Sequence, residues 1–254
     1  MSETIPTVLQ DFEPISLSEM DSVALMERTD TKYAFNLALL PSLLNEMKKS
    51  YQVLEVNGHR LSRYESLYFD TLNFDLFKKH LTGRLNRYKI RYRSYVESNL
   101  HFFEVKFKSN KGRTLKKRIA HNWDEKIDGM AEQFFRKYCT IDPSSLEYKL
   151  RVHFSRMTFV NKFSPERVTI DLHLSFINKE QTKMIGNLVI AEVKQERHFV
   201  SSFVRLMKDH HIRSGGLSKY CQGVISLFPK ERYNSFKPEL LLLKKIINDT
   251  TPRT

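Results

Sequence analysis

Hydrophobic and charged positions alternate with a period of two in several stretches of this chain. The clearest is residues 85–96, LNRYKIRYRSYV, where Arg87, Lys89, Arg91 and Arg93 share one face and Tyr88, Ile90, Tyr92 and Ser94 the other. Side chains alternate sides along a strand, so a strand here carries a row of cations. Taken alone, such a row reads as a solvated basic face. Repetition changes that reading. In HFFEVKFK, residues 101–108, Glu104, Lys106 and Lys108 oppose Phe103, Val105 and Phe107. In RTLKKRIA, residues 113–120, Lys116 and Arg118 are in phase, as are Glu192 and Lys194 in residues 186–197. Arg28, Asp30 and Lys32 alternate with Thr29, Thr31 and Tyr33. Several strands with charge on one side and apolar residues on the other predict an antiparallel barrel with a polar lumen and helices packed outside.

Further strands are expected at residues 52–56, 60–71, 146–162, 167–176 and 188–197. The connections ESN and SNKG are short enough for hairpins, so residues 85–121 read as a meander. A helix is expected from Pro41, with Leu43, Leu44 and Met47 on one side, and a short one over 73–81 closed by Gly83. Others are expected over 130–138 with Phe134 and Phe135 buried, over 199–210, over 218–227 with Ser218 as N-cap, and over 238–248. Residues 1–22 read as an irregular arm, 23–230 as one α+β domain, and 231–254 as a C-terminal helix on the same domain.

The 254 residues carry a formal net charge of +13, which calls for an anionic partner: nucleic acid, anionic membrane, nucleotide or polyphosphate. The spacing of Cys139 and Cys221 suggests neither a disulfide framework nor a zinc site. The N-terminus has no signal-peptide pattern and no apolar run is long enough to span a bilayer, so a cytoplasmic location is expected, with a membrane partner left open. No Walker or Rossmann loop, HExxH or GxSxG appears. The pair His210-His211 could hold a metal, but at a helix end it reads as solvated. No helix-turn-helix or zinc signature supports nucleic acid as the partner. The aromatic residues read mostly as outer-wall core, opposite the charges.

Nine segments occur in a telling order: ERTDTKY (27–33), YESLYFDT (64–71), RYKIRYR (87–93), FFEVKFK (102–108), LKKR (115–118), SRMTF (155–159), RVTID (167–171), AEVK (191–194) and LSKYCQG (217–223). Together they resemble the polyphosphate polymerase domain of the vacuolar transporter chaperone (VTC) complex, a triphosphate tunnel metalloenzyme related to CYTH domains. The resemblance implies an eight-stranded tunnel barrel that takes the γ-phosphate of ATP with Mn or Mg and elongates polyphosphate, with phosphate or pyrophosphate as further acceptors. By motif, Lys32, Arg91, Arg93, Lys106, Lys116, Arg156 and Lys219 resemble the phosphate-binding cations. Arg28, Arg87, Lys89, Arg118, Lys194 and Ser218 are expected beside them as substrate contacts. Glu192 resembles the metal-binding glutamate; Glu104, Asp30 and Asp171 are further candidates to hold metal or orient cations.

Two departures stand out. The Glu-x-Glu-x-Lys first strand of CYTH proteins is here Arg28, Asp30 and Lys32, an incomplete acidic pair that fits the polymerase branch better. Where the polymerase tends to carry a further lysine before Ser-Lys-Tyr, this chain has Gly215-Gly216, and Arg213 is the nearest substitute. Guanidinium groups can bind phosphate oxygens in pairs, and a hard cation suits a carboxylate with phosphate oxygens and water. A triphosphatase of the same fold, or a non-catalytic polyphosphate-binding module, would share this pattern.

Overall fold

The structure is a computed structural model that describes residues 4–22, 28–197, 199–228 and 236–248. In chain order its strands are β1 (Pro14–Ile15), β2 (Arg28–Asn36), β3 (Tyr51–Leu54), β4 (Ser62–Thr71), β5 (Arg87–Tyr95), β6 (Leu100–Lys108), β7 (Thr114–Ala120), β8 (Leu146–Asn161), β9 (Glu166–Ile177), β10 (Thr182–Ile185) and β11 (Leu188–Glu196). The helices are α1 (Ile5–Gln10), α2 (Leu17–Ser22), α3 (Leu40–Met47), α4 (Asp75–Leu81), α5 (Gly129–Tyr138), α6 (Ser202–Asp209), α7 (Lys219–Leu227) and α8 (Lys237–Asn248).

Eight strands form one antiparallel path, β2-β11-β9-β8-β4-β5-β6-β7. The meander expected over 85–121 is β5-β6-β7, with Arg91 opposite Glu104 and Lys106 opposite Lys116. The strand count matches the expected barrel, but closure does not: among the described residues no ladder joins β2 to β7. Both lips of this seam carry charged residues, which discourage edge pairing.

Period-two patterning decides which face each strand buries. Ile90, Tyr92, Phe103 and Val105 pack with Ala131 and Phe135 of α5 on the convex side. Phe134 is only partly buried there. A second convex core joins Tyr33, Phe35, Val168, Ile170 and Val193 to α3 and to Phe203 and Met207 of α6. The N-terminal residues are less irregular than expected, because Val8 and Leu9 of α1 and nearby Phe12 are buried in this same core.

A third cluster fills part of the concave side. Val152, Phe154, Leu174, Phe176 and Ile190 receive Tyr220, Cys221 and Val224 of α7, with Leu243 of α8 behind them. Helix packing inside the sheet was not expected from the sequence. On β9 the phase switches at His173, whose φ of 52° accompanies the register shift near His153. Asp171 therefore faces the lumen while Leu174 and Phe176 turn inward against α7, a change of face that a bulge permits.

Asp70 fixes one corner. Its carboxylate accepts from the amides of Leu76 and Phe77 at 2.8 Å each, capping α4, and from the Tyr220 hydroxyl of α7 at 2.5 Å. Ser218 is the N-cap of α7, accepting from the Cys221 amide. Both cysteines are buried and neither forms a disulfide. Among the described residues no helix is long and apolar enough to cross a membrane.

Close packing of α7 gives a test. A Cβ at Gly223 would lie 2.9 Å from both Leu150 Cδ1 and Phe176 Cδ1, which are fully buried. Alanine should gain about 1 kcal/mol of helix propensity but lose about 1–3 kcal/mol to overpacking. Gly223→Ala should therefore lower the midpoint of thermal unfolding rather than raise it.

Candidate functional site: a basic lumen

The concave face of the sheet gathers cations from six elements. On β5, Lys89, Arg91 and Arg93 point inward, and Lys106 joins them from β6. Lys116 comes from β7, Arg156 from β8, Lys32 from β2 and Lys219 from the first turn of α7. Lys106 lies in the electrostatic field of Lys32, Asp30 and Glu192, so β6 looks across the lumen at β2 and β11.

Two buried carboxylates hold this array. Glu104 is 1% exposed and ion-pairs with Arg91 Nη2 at 2.6 Å and Lys116 Nζ at 2.7 Å. Asp171 is 3% exposed and takes both a bidentate grip from Arg156, at 2.6 and 2.8 Å, and the ammonium of Lys219. Burial alone would push both carboxyls up, yet the neighbouring cations win and hold both well below the ordinary range. These two residues thus orient cations. Their oxygens face guanidinium and ammonium groups, which is the cation-orienting alternative of the two expected for Glu104 and Asp171.

Glu192 differs. Burial raises its pKa, but Lys32, Lys194, Arg156 and Lys219 lower it further, so the carboxylate is ionised. It sits opposite Lys32 on β2 and Thr169 on β9. Among the described residues no group of three or more His, Cys, Asp or Glu forms a metal shell. An oxygen-preferring divalent ion fits this donor set only as a shared ion, with Glu192 on one side and ligand oxygens and water on the other. His210 pairs with Glu46 at 2.7 Å instead of presenting a histidine pair to a metal.

The wall is more aromatic than the sequence pattern suggested. Tyr64 and Tyr68 of β4 face inward: Arg91 donates to the Tyr68 hydroxyl at 2.9 Å, and Arg156 lies 5.0 Å from the Tyr64 ring centre. Lys219 stacks over Phe154 at 4.6 Å. Burial raises the Tyr68 pKa, but Arg91, Arg93 and Lys89 outweigh it and bring the hydroxyl down to about 8. The aromatic wall thus flanks the same cations that Glu104 and Asp171 hold. Sequence reasoning missed Tyr64 and Tyr68 because YESLYFDT mixes polar and aromatic or apolar residues on both faces. Arg167 was also missed, although it is in phase with Asp171 on β9.

The other expected contacts divide. Lys89 donates to Ser218 Oγ at 3.0 Å. Arg118 stacks on Phe102 at 4.4 Å. Arg118 and Lys194 line a cavity of about 420 Å³ at one end of the lumen, together with Arg93, Lys116, Arg156 and Arg167. Arg87 instead ties the end of α4, donating to the carbonyls of Gly83 and Arg84. Arg213 lines a separate cavity of about 590 Å³ beneath α8. Asp30 lies opposite Lys194 on the outer part of β2. Arg28 opens β2, and its side chain lies outside the described residues.

An eight-stranded antiparallel sheet curled around a basic lumen is the triphosphate tunnel architecture of CYTH-like proteins. A structure from Bacillus halodurans described as a candidate adenylate cyclase shares this fold, with TM-score 0.52 and 15% identity over 80% of this chain and all of that one. A Hippeastrum protein described as an adenylyl cyclase candidate with a dominant triphosphatase activity aligns over 82% of this chain and all of that one, at TM-score 0.47 and 12% identity. No curated protein sequence matches. The VTC domain model matches residues 27–228, and the chain belongs to that family.

The crowding of like charges makes a pH test. Burial, helped by Lys32 and Lys106, brings Lys89 down from 10.5 to about 8. Between about 8 and 10.5 the unfolded chain keeps a proton on this lysine that the folded protein has released. This site's contribution to stability therefore rises with pH across that window. Anion binding runs the other way, because Lys89 loses its charge. Affinity for tripolyphosphate, measured by calorimetry, should fall as pH passes 8, and Lys89→Met should flatten that dependence.

Proposed function

We propose that this protein is a metal-dependent polyphosphate polymerase that transfers the γ-phosphate of ATP to a growing phosphate chain. The observation that carries this reading is the convergence of Arg91, Lys116, Arg156 and Lys219 on one lumen, fixed by Glu104 and Asp171 before any ligand arrives. Membership of the VTC family supports it.

Phosphoryl transfer asks the protein for position and charge more than for a covalent partner. Arg156 and Arg91 each keep guanidinium hydrogens beyond those used on their carboxylates, and their planar forks suit phosphate oxygens. Because Glu104 and Asp171 fix these forks, little reorganisation is needed when charge shifts toward the leaving oxygen. Lys32, Lys106 and Lys219 supply the remaining neutralisation. Lys89, held on Ser218, marks the end of the lumen nearest α7. A chain-end phosphate needs no general base, since its oxygens are already anionic. Mn or Mg bound at Glu192 would polarise the transferred phosphoryl group and help neutralise its charge.

A second reading has its own support. The seam between β2 and β7 leaves Lys116 43% exposed, so water reaches the lumen. Water in place of an acceptor phosphate gives a triphosphatase. Purified protein with ATP and Mn should yield phosphate chains that resolve as a ladder on a polyacrylamide gel; release of orthophosphate alone would favour hydrolysis. Glu192→Gln should cut turnover by about 10²-fold or more while changing tripolyphosphate affinity without metal far less. Loss of metal-free affinity to the same degree would remove Glu192 from the metal role.

A further inference from the structure

The segment LSKYCQG supplies Ser218 and Lys219 to the lumen, Tyr220 to Asp70 and Gly223 to the packing of α7. Gln222 has no such part. It is 5% exposed, and its Nε2 is buried without a hydrogen-bond partner among the described residues. A buried amide donor in that state carries a desolvation penalty that an acceptor would relieve. Gln222 lines the cavity of about 590 Å³ beneath α8, and that is where an acceptor would meet it.

Both walls of this cavity are fixed. One is the segment 211–217, tied to β2 by the bridge of Ser214 to Tyr33 and by the Gly215 amide, which donates to the Lys32 carbonyl at 2.9 Å. The other is α8, whose last turn is held on β2 by Asn36 Nδ2, donating to the carbonyls of Ile246 at 2.8 Å and Ile247 at 3.2 Å. Between them Ala34, Leu217, Leu243 and Ile246 offer aliphatic surface, while the rings of Tyr33 and Phe35 belong to the convex core. Arg213 lines the cavity from one wall and Lys245 from the other, and both are exposed. Among the described residues no Asp or Glu lines it.

We propose that this cavity is a binding site, separate from the lumen, for a small aliphatic carboxylate. Its size lies in the range of small-molecule sites. The carboxylate accepts from Gln222 Nε2, Arg213 and Lys245 balance its charge, and the alkyl chain covers the aliphatic wall. A dianionic phosphate fits less well, because one buried amide donor would leave most of its oxygens unmatched. The site does not depend on the phosphate chemistry of the lumen.

The test uses the full chain with decanoate, decanol and decylammonium, each below its micellar concentration, and reads binding by isothermal titration calorimetry. Decanoate should bind saturably and at least about tenfold more tightly than the neutral and cationic probes. Gln222→Met removes the unpartnered donor, so it should weaken decanoate about tenfold yet raise the midpoint of thermal unfolding of the ligand-free protein. Ala34→Leu narrows the cavity and should weaken decanoate too. Saturating tripolyphosphate should leave decanoate bound. Equal binding of decanol or decylammonium, or no binding of decanoate, overturns the proposal. So does a Gln222→Met protein that binds decanoate as the unaltered protein does. Displacement by tripolyphosphate would put the acid in the basic lumen and overturns it as well. If Gln222→Met lowers the midpoint, its side chain serves the fold, and unchanged binding by Ala34→Leu then rules the cavity out.

Discussion

Two carboxylates decide whether this sheet can exist as it does. Glu104 and Asp171 are almost fully buried, and each neutralises two cations that would otherwise repel their neighbours in a partly desolvated space. Desolvation alone would protonate them. Their pKa values go the other way because Arg91, Lys116, Arg156 and Lys219 approach so closely. Removing one partner from such a group leaves an uncompensated buried charge, which costs more than the intact pair contributes. The array is therefore mutually dependent, and it is incomplete: the cations outnumber the acids facing the lumen. That excess is what an anionic ligand would satisfy.

The scaffold puts these groups in place by two means. Strand pairing sets the register, so Arg91 meets Glu104 and Arg156 meets Asp171 across adjacent strands. Helix α7 sets the depth, entering the concave side with Lys219 at its first turn and Ser218 as its cap. Asp70 ties α7 to α4 through the Tyr220 hydroxyl, so the lysine on Asp171 is anchored to a second corner of the fold. The aromatic wall completes the arrangement, since Tyr64, Tyr68 and Phe154 offer ring faces or a hydroxyl to cations.

This division explains which parts of the site were legible beforehand. RYKIRYR showed its inward row because no apolar residue interrupts the alternation, and FFEVKFK showed its own in the same way. YESLYFDT hid its inward tyrosines, because its polar residues fall on both faces and the strand is buried on both, so neither face reads as the polar one. The role of Asp171 was hidden differently. A carboxylate among basic motifs can bind a metal or a cation, and only the positions of Arg156 and Lys219 distinguish them. Arg213 was placed by its distance in sequence from Ser218, whereas the bridge of Ser214 to Tyr33 on β2 sets its neighbour Arg213 at the cavity beside α8.

By itself the sequence determined the strand phases, the antiparallel character and the basic nature of the lumen, because these follow from local alternation and charge, while the count of eight strands rested on the family resemblance. Only the tertiary structure decided that no ladder joins β2 to β7 among the described residues, that α7 occupies part of the concave face, and which acids orient cations. Those outcomes depend on pairs of residues far apart in the chain. The bulge at His173, the packing of Gly223 against Leu150 and the meeting of Lys219 with Asp171 exist only once distant strands and helices share one space.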